Sequence, residues 1–109
     1  MQPAAHVDAV ASISSEVRLR YRPNLLRFDL ASLQLVVLCA DLGSLTVAVK
    51  QLHCSLSTGS YRLSALEDAL GVLIFLRDHQ GLQLTREGDH IIGRCRTILA
   101  LVEQMQAKT

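Results

Sequence analysis

The fold is decided by two short stretches, which read LEDALGVLIFLR over residues 66–77 and LTREG over residues 84–88. In the first stretch a helical pattern gives way to an alternating pattern over residues 73–77, with Leu73 and Phe75 on one side. This alternation is typical of a short strand. Residues 78–81 read Asp-His-Gln-Gly, a composition typical of a turn, and residues 82–84 alternate again. The sequence therefore predicts a small two-stranded hairpin.

Helices are predicted on both sides of this hairpin. The helix before it begins at Leu56 behind the N-cap residue Ser55, and it ends at Gly71, because glycine readily adopts the conformation that stops a helix. The helix after it begins behind Thr85 and runs to about Gln106. The hairpin therefore connects two helices.

Two further helices are predicted upstream. Asp29 caps a helix that starts at Leu30, and either Ser44 or Thr46 caps a shorter helix that ends near His53. Apolar side chains recur at helical spacing in both helices, at Leu33, Val36, Val37 and Ala40, and then at Ala48, Val49 and Leu52. Helix, short helix, helix, hairpin and long helix is the order of a winged helix-turn-helix: a mainly α fold with a small two-stranded wing and a long C-terminal helix.

Composition limits the class of protein. With 109 residues, 50% of them apolar and 19% charged, the chain suits one small folded domain rather than a disordered polymer. Eleven basic and ten acidic side chains give a net charge of +1, which excludes a polybasic protein. No run of about 18 uncharged apolar residues is present, so no membrane span is predicted. Three separate cysteines indicate reduced thiols and hence a cytoplasmic protein.

The chain divides into three predicted parts: an N-terminal arm over residues 1–27, a winged domain over residues 28–86 and a linker or dimerisation helix over residues 87–109. The arm is expected to be flexible, and it carries a basic stretch with Arg18, Arg20, Arg22 and Arg27. The last helix has an apolar seam with heptad spacing, which predicts a homodimer interface, although the same stripe could pack within the chain. The seam consists of Ile91, Cys95, Ile98, Val102 and Met105, widened by Ile92, Leu99 and Leu101.

The third predicted helix has an outer stripe that is polar but almost uncharged. This stripe contains Ser57, Ser60, Tyr61 and Ser64, with Arg62 beside it. A solvated helix face more often carries Glu and Lys, so the stripe indicates a contact surface, although a plain solvated face is the alternative.

Four sequence blocks together resemble the DNA-binding domain of LysR-type transcriptional regulators. They are residues 28–30, residues 43–46, residues 66–77 and residues 84–88, with the spacing of that family, and the resemblance covers roughly residues 28–107. It implies a bacterial regulator that binds a partly palindromic operator on double-stranded DNA as a dimer or tetramer. It also implies a larger, separate ligand-sensing domain, which we do not expect among these residues, so no small-molecule site is predicted in the chain.

The resemblance also implies the DNA contacts. The third helix would face the major groove, the helix caps would hold phosphates, and Arg77 and His79 would act from the wing, although Arg77 could instead pair with Asp78 or Glu67. The predicted DNA-binding residues are Ser44, Thr46, Ser55, Leu56, Ser57, Thr58, Ser60, Tyr61, Arg62, Ser64, Arg77 and His79.

The chain departs from the family pattern at three positions. Leu56 stands where the family usually has Gln; it cannot bond adenine, and it could touch only a thymine methyl group or the DNA backbone. Gly59 replaces an aliphatic residue and is expected to leave a packed side chain missing, whereas Val49 is bulkier than the usual alanine. Residues 28–109 carry seven basic and eight acidic side chains, which is a low charge for a DNA-binding domain.

Two hypotheses follow. The first is a sequence-specific DNA-binding module of a LysR-type regulator, and the alternative is a dimerisation module that has lost DNA binding and pairs with related regulators. Catalysis is not predicted, because no nucleophile stands beside a base and no phosphate-binding loop is present. No cofactor is predicted, and His53 with Cys54 is not expected to bind a metal, because adjacent residues seldom ligate one ion.

Overall fold

The computed structural model describes residues 28–107, so the predicted arm and the last two residues lie outside the described part. The predicted order of elements is confirmed, and with it the winged helix-turn-helix class. The elements are α1 (Leu30–Leu42), α2 (Leu45–Gln51), α3 (Leu56–Leu70), β1 (Phe75–Asp78), β2 (Gly81–Leu84) and α4 (Arg86–Gln106).

Each helix begins at a residue whose side chain accepts a main-chain hydrogen bond from the first turn. At α1 the Asp29 carboxylate accepts from the Ser32 N–H at 2.8 Å. At α2 the Ser44 hydroxyl accepts from Val47 at 3.1 Å, which settles the choice between Ser44 and Thr46 as the cap. Ser55 and Thr85 cap α3 and α4 in the same way, as predicted.

Helix α1 lies at the centre of the domain and packs against α2, α3, α4 and β2. The predicted stripe is correct for Leu33 and Val36, but Leu35 and Cys39 on other sides of the helix are also fully buried. Helix α1 therefore buries more than one face, because other elements pack against it on several sides. The remaining core is aliphatic as expected and includes Ala48, Val49, Leu63, Leu66, Ile74, Phe75, Ile92 and Cys95.

The base of the wing is fixed by the residues of the two deciding stretches. The Glu67 carboxylate on α3 accepts hydrogen bonds from the N–H groups of Ile74 at 2.8 Å and Phe75 at 3.3 Å. From the other side, the Thr85 hydroxyl donates to the carbonyl of Leu73 at 2.6 Å. Gly88 is required here, because a Cβ atom at this position would overlap the carbonyl oxygen of Ile74. These contacts hold the wing at a fixed position relative to α3 and α4.

The wing also docks onto the turn between α1 and α2. The Leu82 N–H donates to the carbonyl oxygen of Gly43 at 3.1 Å. Gly81 has φ 116°, and a Cβ atom there would lie 2.5 Å from the same oxygen, so only glycine fits. The strands pair from Phe75 opposite Leu84 to Asp78 opposite Gly81, which leaves a two-residue turn at the tip.

Two predictions at the hairpin and the second helix need correction. The first strand begins at Phe75 rather than at Leu73, whose side chain is 56% exposed. The reason is that the carbonyl of Leu73 accepts a hydrogen bond from the hydroxyl group of Thr85 and does not pair with a strand. Helix α2 ends at Gln51 rather than near His53, which takes a left-handed conformation with φ 57°.

The expected packing defect at Gly59 is not present. Gly59 is buried on α3, and a Cβ atom added there would overlap Cγ1 of Val49 on α2. Val49, at 3% exposure, therefore occupies the space that a larger residue at position 59 would need. The two departures from the family pattern compensate each other, and α2 packs closely on α3.

Cys39 and Cys95 are core residues, as predicted. Burial raises the pKa of the Cys39 thiol to about 11, and the nearby charge of Arg77 only partly offsets this effect. Burial also raises the pKa of Cys95. Both thiols therefore stay protonated near neutral pH.

Candidate nucleic-acid interface

The outer face of α3, which we define as Leu56, Ser57, Thr58, Ser60, Tyr61 and Ser64, projects away from the core. Tyr61 is 74% exposed and Leu56 is 51% exposed, and neither is covered by another element among residues 28–107. Ser57, Thr58 and Ser64 are exposed as well, whereas Ser60 is half-buried. The outer face of α3, which includes the predicted stripe, is thus a surface of hydroxyl groups with two large side chains, Leu56 and Tyr61.

The first turn of α3 holds a small network of hydroxyl groups. Ser55 Oγ accepts the Thr58 N–H at 3.1 Å and donates to Thr58 Oγ1 at 2.9 Å. Ser57 Oγ lies 3.3 Å from the same Ser55 oxygen. The Ser55 hydroxyl therefore serves chiefly the helix cap, while the other N–H groups at the start of α3 have no partner within the helix, as at any helix N-terminus.

Arg62 does not belong to this outer face. Its Nη1 lies 3.3 Å from both carboxylate oxygens of Asp29, at the start of α1. Burial of Asp29 raises its pKa, but hydrogen bonds from Ser32 and the charge of Arg62 outweigh this effect and hold the pKa below its usual range. This ion pair joins α3 to the start of α1, and the base contact of Arg62 stays a prediction.

The wing presents Arg77 on β1 and His79 at its tip, and both side chains are exposed. Neither of the alternatives for Arg77 is realised within residues 28–107. Glu67 bonds the main chain of the wing base, and the Asp78 carboxylate accepts from the Gln80 N–H at 2.8 Å. Arg77 is therefore free to meet a phosphate or a groove.

Helix α2 places its two predicted hydroxyl groups differently. The half-buried Ser44 caps the helix and bonds its first turn, whereas Thr46 is exposed in that turn without a side-chain bond within the described residues. Both stand near the start of α2, which packs against the N-terminal half of α3 through Val49 and Gly59.

The predicted seam of α4 divides into two parts. Ile92 and Cys95 lie at 3% exposure in the chain's own core, and Ile91 and Leu99 pack against that core. Beyond them the helix continues outward, and its apolar side chains become exposed. Ile98 is 42%, Leu101 54% and Met105 84% exposed, while Val102 is half-buried. Leu101, which widens the predicted seam, belongs to this exposed part.

Two other kinds of site are absent from residues 28–107. No helix there is long and apolar enough to cross a membrane. No group of three or more His, Cys, Asp or Glu side chains in that part of the chain could hold a metal ion.

A free helix face, together with an exposed wing that carries Arg77, defines a winged helix-turn-helix of the nucleic-acid-binding type. Comparison with known proteins makes the class specific. The profile of the bacterial regulatory helix-turn-helix proteins of the lysR family matches residues 30–89. The transcriptional activator AllS of Salmonella typhi is 32% identical over 78 residues, which are 72% of this chain and 25% of AllS. The regulator TcbR of Pseudomonas sp. strain P51 is 33% identical over 73 residues, or 67% of this chain and 25% of TcbR.

Solved structures agree with the sequence comparison. The crystal structure of the CbnR DNA-binding domain in complex with DNA matches with a TM-score of 0.69 at 31% identity, over 72% of this chain and 90% of that one. The BenM DNA-binding domain with benA site 1 DNA matches with a TM-score of 0.67 at 26% identity, over 71% of this chain and 90% of that one. This chain belongs to the LysR family and corresponds to the DNA-binding domain of these transcriptional regulators. It spans about a quarter of the length of AllS and of TcbR.

Proposed function

We propose that residues 28–107 bind double-stranded DNA, with the outer face of α3 in the major groove. The observation that carries the proposal is the exposure of this face, which is free of the core and almost without charge. Hydroxyl groups can both donate to and accept from base edges, so Ser57, Thr58, Ser60 and Ser64 are suited to direct reading of bases. Tyr61 adds a large side chain at the centre of the face.

Phosphate contacts come from the residues around this face. The start of α3 at Ser55 offers outward N–H groups, and Ser44 and Thr46 offer hydroxyl groups near the start of α2. Arg77 and His79 on the wing reach the adjacent phosphates or the minor groove. Because residues 28–109 contain few basic side chains, we expect each such contact to carry a large share of the affinity.

The domain acts as a homodimer in this proposal, through the outer half of α4. Support comes from the exposed apolar group Ile98, Leu101 and Met105, with Val102 beside it. A two-fold dimer presents two copies of α3 to two half-sites, which suits a partly palindromic operator. The function is regulatory and not enzymatic, its place is the cytoplasm, and this part of the chain needs no cofactor or small-molecule ligand.

The proposal is tested by selecting duplexes from a random pool with the purified chain and then measuring affinity for the enriched sequence. We expect a recurrent motif, and we expect Tyr61→Ala and Arg77→Ala to weaken binding. Arg94→Ala is the matched control, because Arg94 lies on α4 beside Leu70, at the end of α3 that points away from the proposed contact.

The alternative function, a dimerisation module without DNA binding, makes a different prediction for the same experiment. A folded, dimeric chain that enriches no sequence would overturn the DNA-binding proposal and favour this alternative. One argument for the alternative is weakened by the structure, because Val49 fills the apparent defect at Gly59.

A further inference from the structure

Leu56 occupies an unusual position for an apolar side chain. It is the first residue of α3, it is 51% exposed, and it is not among the residues packed against the core. The N-terminal residues of the recognition helix are the ones that meet base edges in a helix-turn-helix. A side chain at this place with no donor or acceptor can contribute only apolar contact.

The neighbours of Leu56 do not supply the polar groups that read purines. Bidentate reading of adenine requires Asn or Gln, and bidentate reading of guanine requires Arg or Lys. Residues 56–62 contain only one of these, Arg62, and its guanidinium is held at Asp29. Hydroxyl groups of the first turn are partly engaged with each other. Apolar contact by Leu56 is therefore a means of discrimination at this end of the helix in addition to the hydroxyl groups.

Thymine alone among the four bases presents a methyl group in the major groove. We infer that Leu56 reads a thymine in each half-site by contact with its C5 methyl group, so that this chain selects a T·A pair at the position facing the start of α3. The inference rests on the proposed function, because it requires α3 to lie in the major groove.

The test uses a duplex selected by the wild-type chain, in which each thymine is replaced in turn by deoxyuridine. This replacement removes only the methyl group and leaves every hydrogen-bonding atom of the base pair in place. At one thymine of each half-site we expect the affinity to fall about three- to five-fold for each methyl group removed, from the cost of leaving one apolar group unburied. With Leu56→Ala, the ratio of affinities for thymine and deoxyuridine at that position should approach one.

A second variant keeps the experiment informative if Leu56→Ala folds poorly. Leu56→Gln preserves the length of the side chain and adds an amide, so we expect the preferred base at that position to change from thymine to adenine. Leu73→Ala is the matched control: Leu73 has a similar exposure of 56% but follows the opposite end of α3. This control should keep the wild-type ratio of affinities at every thymine.

The outcomes separate the inference from the proposal beneath it. If the chain binds a selected duplex but no thymine shows a ratio that depends on Leu56, the inference is wrong and the DNA-binding proposal stands. If the folded chain selects no duplex at all, the DNA-binding proposal fails first and the inference fails with it.

Discussion

The contact between Val49 and Gly59 gives a prediction that can be worked out in magnitude. Gly59 lies inside α3, where alanine is normally favoured over glycine by about 1 kcal/mol. Here, however, the new Cβ atom would overlap Cγ1 of Val49. Val49 cannot swing aside, because it is buried and a β-branched side chain in a helix has essentially one rotamer.

Gly59→Ala is therefore expected to destabilise the domain. Overpacking of a well-filled core costs about 1–3 kcal/mol. Subtracting the gain in helix propensity of about 1 kcal/mol leaves a loss of up to about 2 kcal/mol in the free energy of unfolding. Gly93→Ala is the matched control, because Gly93 lies in α4 with no atom near its missing Cβ, and it should stabilise the domain by about 1 kcal/mol.

The double variant V49A/G59A tests the cause directly. Val49→Ala alone should cost about 2 kcal/mol, from two buried methyl groups and the space that they leave. In the double variant the new alanine side chain at position 59 enters that space. We expect the double variant to be about 1–3 kcal/mol more stable than the sum of the two single effects.

The measurement is urea unfolding followed by helical circular dichroism, at one fixed protein concentration because a dimer gains stability with concentration. For a domain of this size, about 1 kcal/mol corresponds to a shift of roughly 4–8 °C in Tm, which gives an independent check. The reasoning is refuted if Gly59→Ala stabilises the domain as Gly93→Ala does, or if the two substitutions are additive within about 0.5 kcal/mol.

Three further predictions concern the elements that position the site. Ser44→Ala should lower the free energy of unfolding by about 1 kcal/mol, measured by thermal or urea unfolding, because it removes the cap of α2. Thr46→Ala should lower it by almost nothing, and equal losses would contradict the assignment of the cap. Glu67→Ala should lower the free energy of unfolding by about 2 kcal/mol, because two N–H groups at the base of the wing lose a charged acceptor. Asp68→Ala is the control, because Asp68 is exposed and its replacement should cause no such loss. The lowered pKa of Asp29 means that its ionised form stabilises the fold above about pH 4 and that this contribution disappears as the pH falls through the lowered pKa. The variant Asp29→Asn should therefore lose less stability than the wild type between neutral and acidic pH, and an unchanged acid profile would rule out this role.

Local signals predict most of the fold because each helix has its own start and stop residues. Asp29, Ser55 and Thr85 cap the helices that the sequence predicts, and Gly71 ends α3 with φ 75°. These signals act within one turn of the chain, so a single sequence contains them. The predicted start of the first strand is wrong by two residues, because it depends on hydrogen bonds between Leu73 and distant parts of the chain.

The features that the sequence does not predict depend on interactions between residues that are distant in the chain. The sequence could not show that Arg62 would pair with Asp29, which is 33 residues away. Nor could it show that Val49 would fill the space beside Gly59. The heptad spacing of α4 predicts an apolar stripe, but only the packing of α4 within the domain shows that Ile92 and Cys95 are buried and that Met105 is exposed.

The central claim is that the outer face of α3 and the wing form a DNA-binding surface, and salt dependence tests it most directly. Binding of the wild-type chain and of Arg77→Ala to mixed-sequence duplex DNA would be measured by fluorescence anisotropy over about 50–200 mM salt. We predict that the logarithm of the affinity falls linearly with the logarithm of the salt concentration, and that Arg77→Ala lowers the slope by about 0.9 for each phosphate that the variant no longer neutralises. A folded wild-type chain that does not bind at the lowest salt, or a slope that Arg77→Ala leaves unchanged, would contradict the claim.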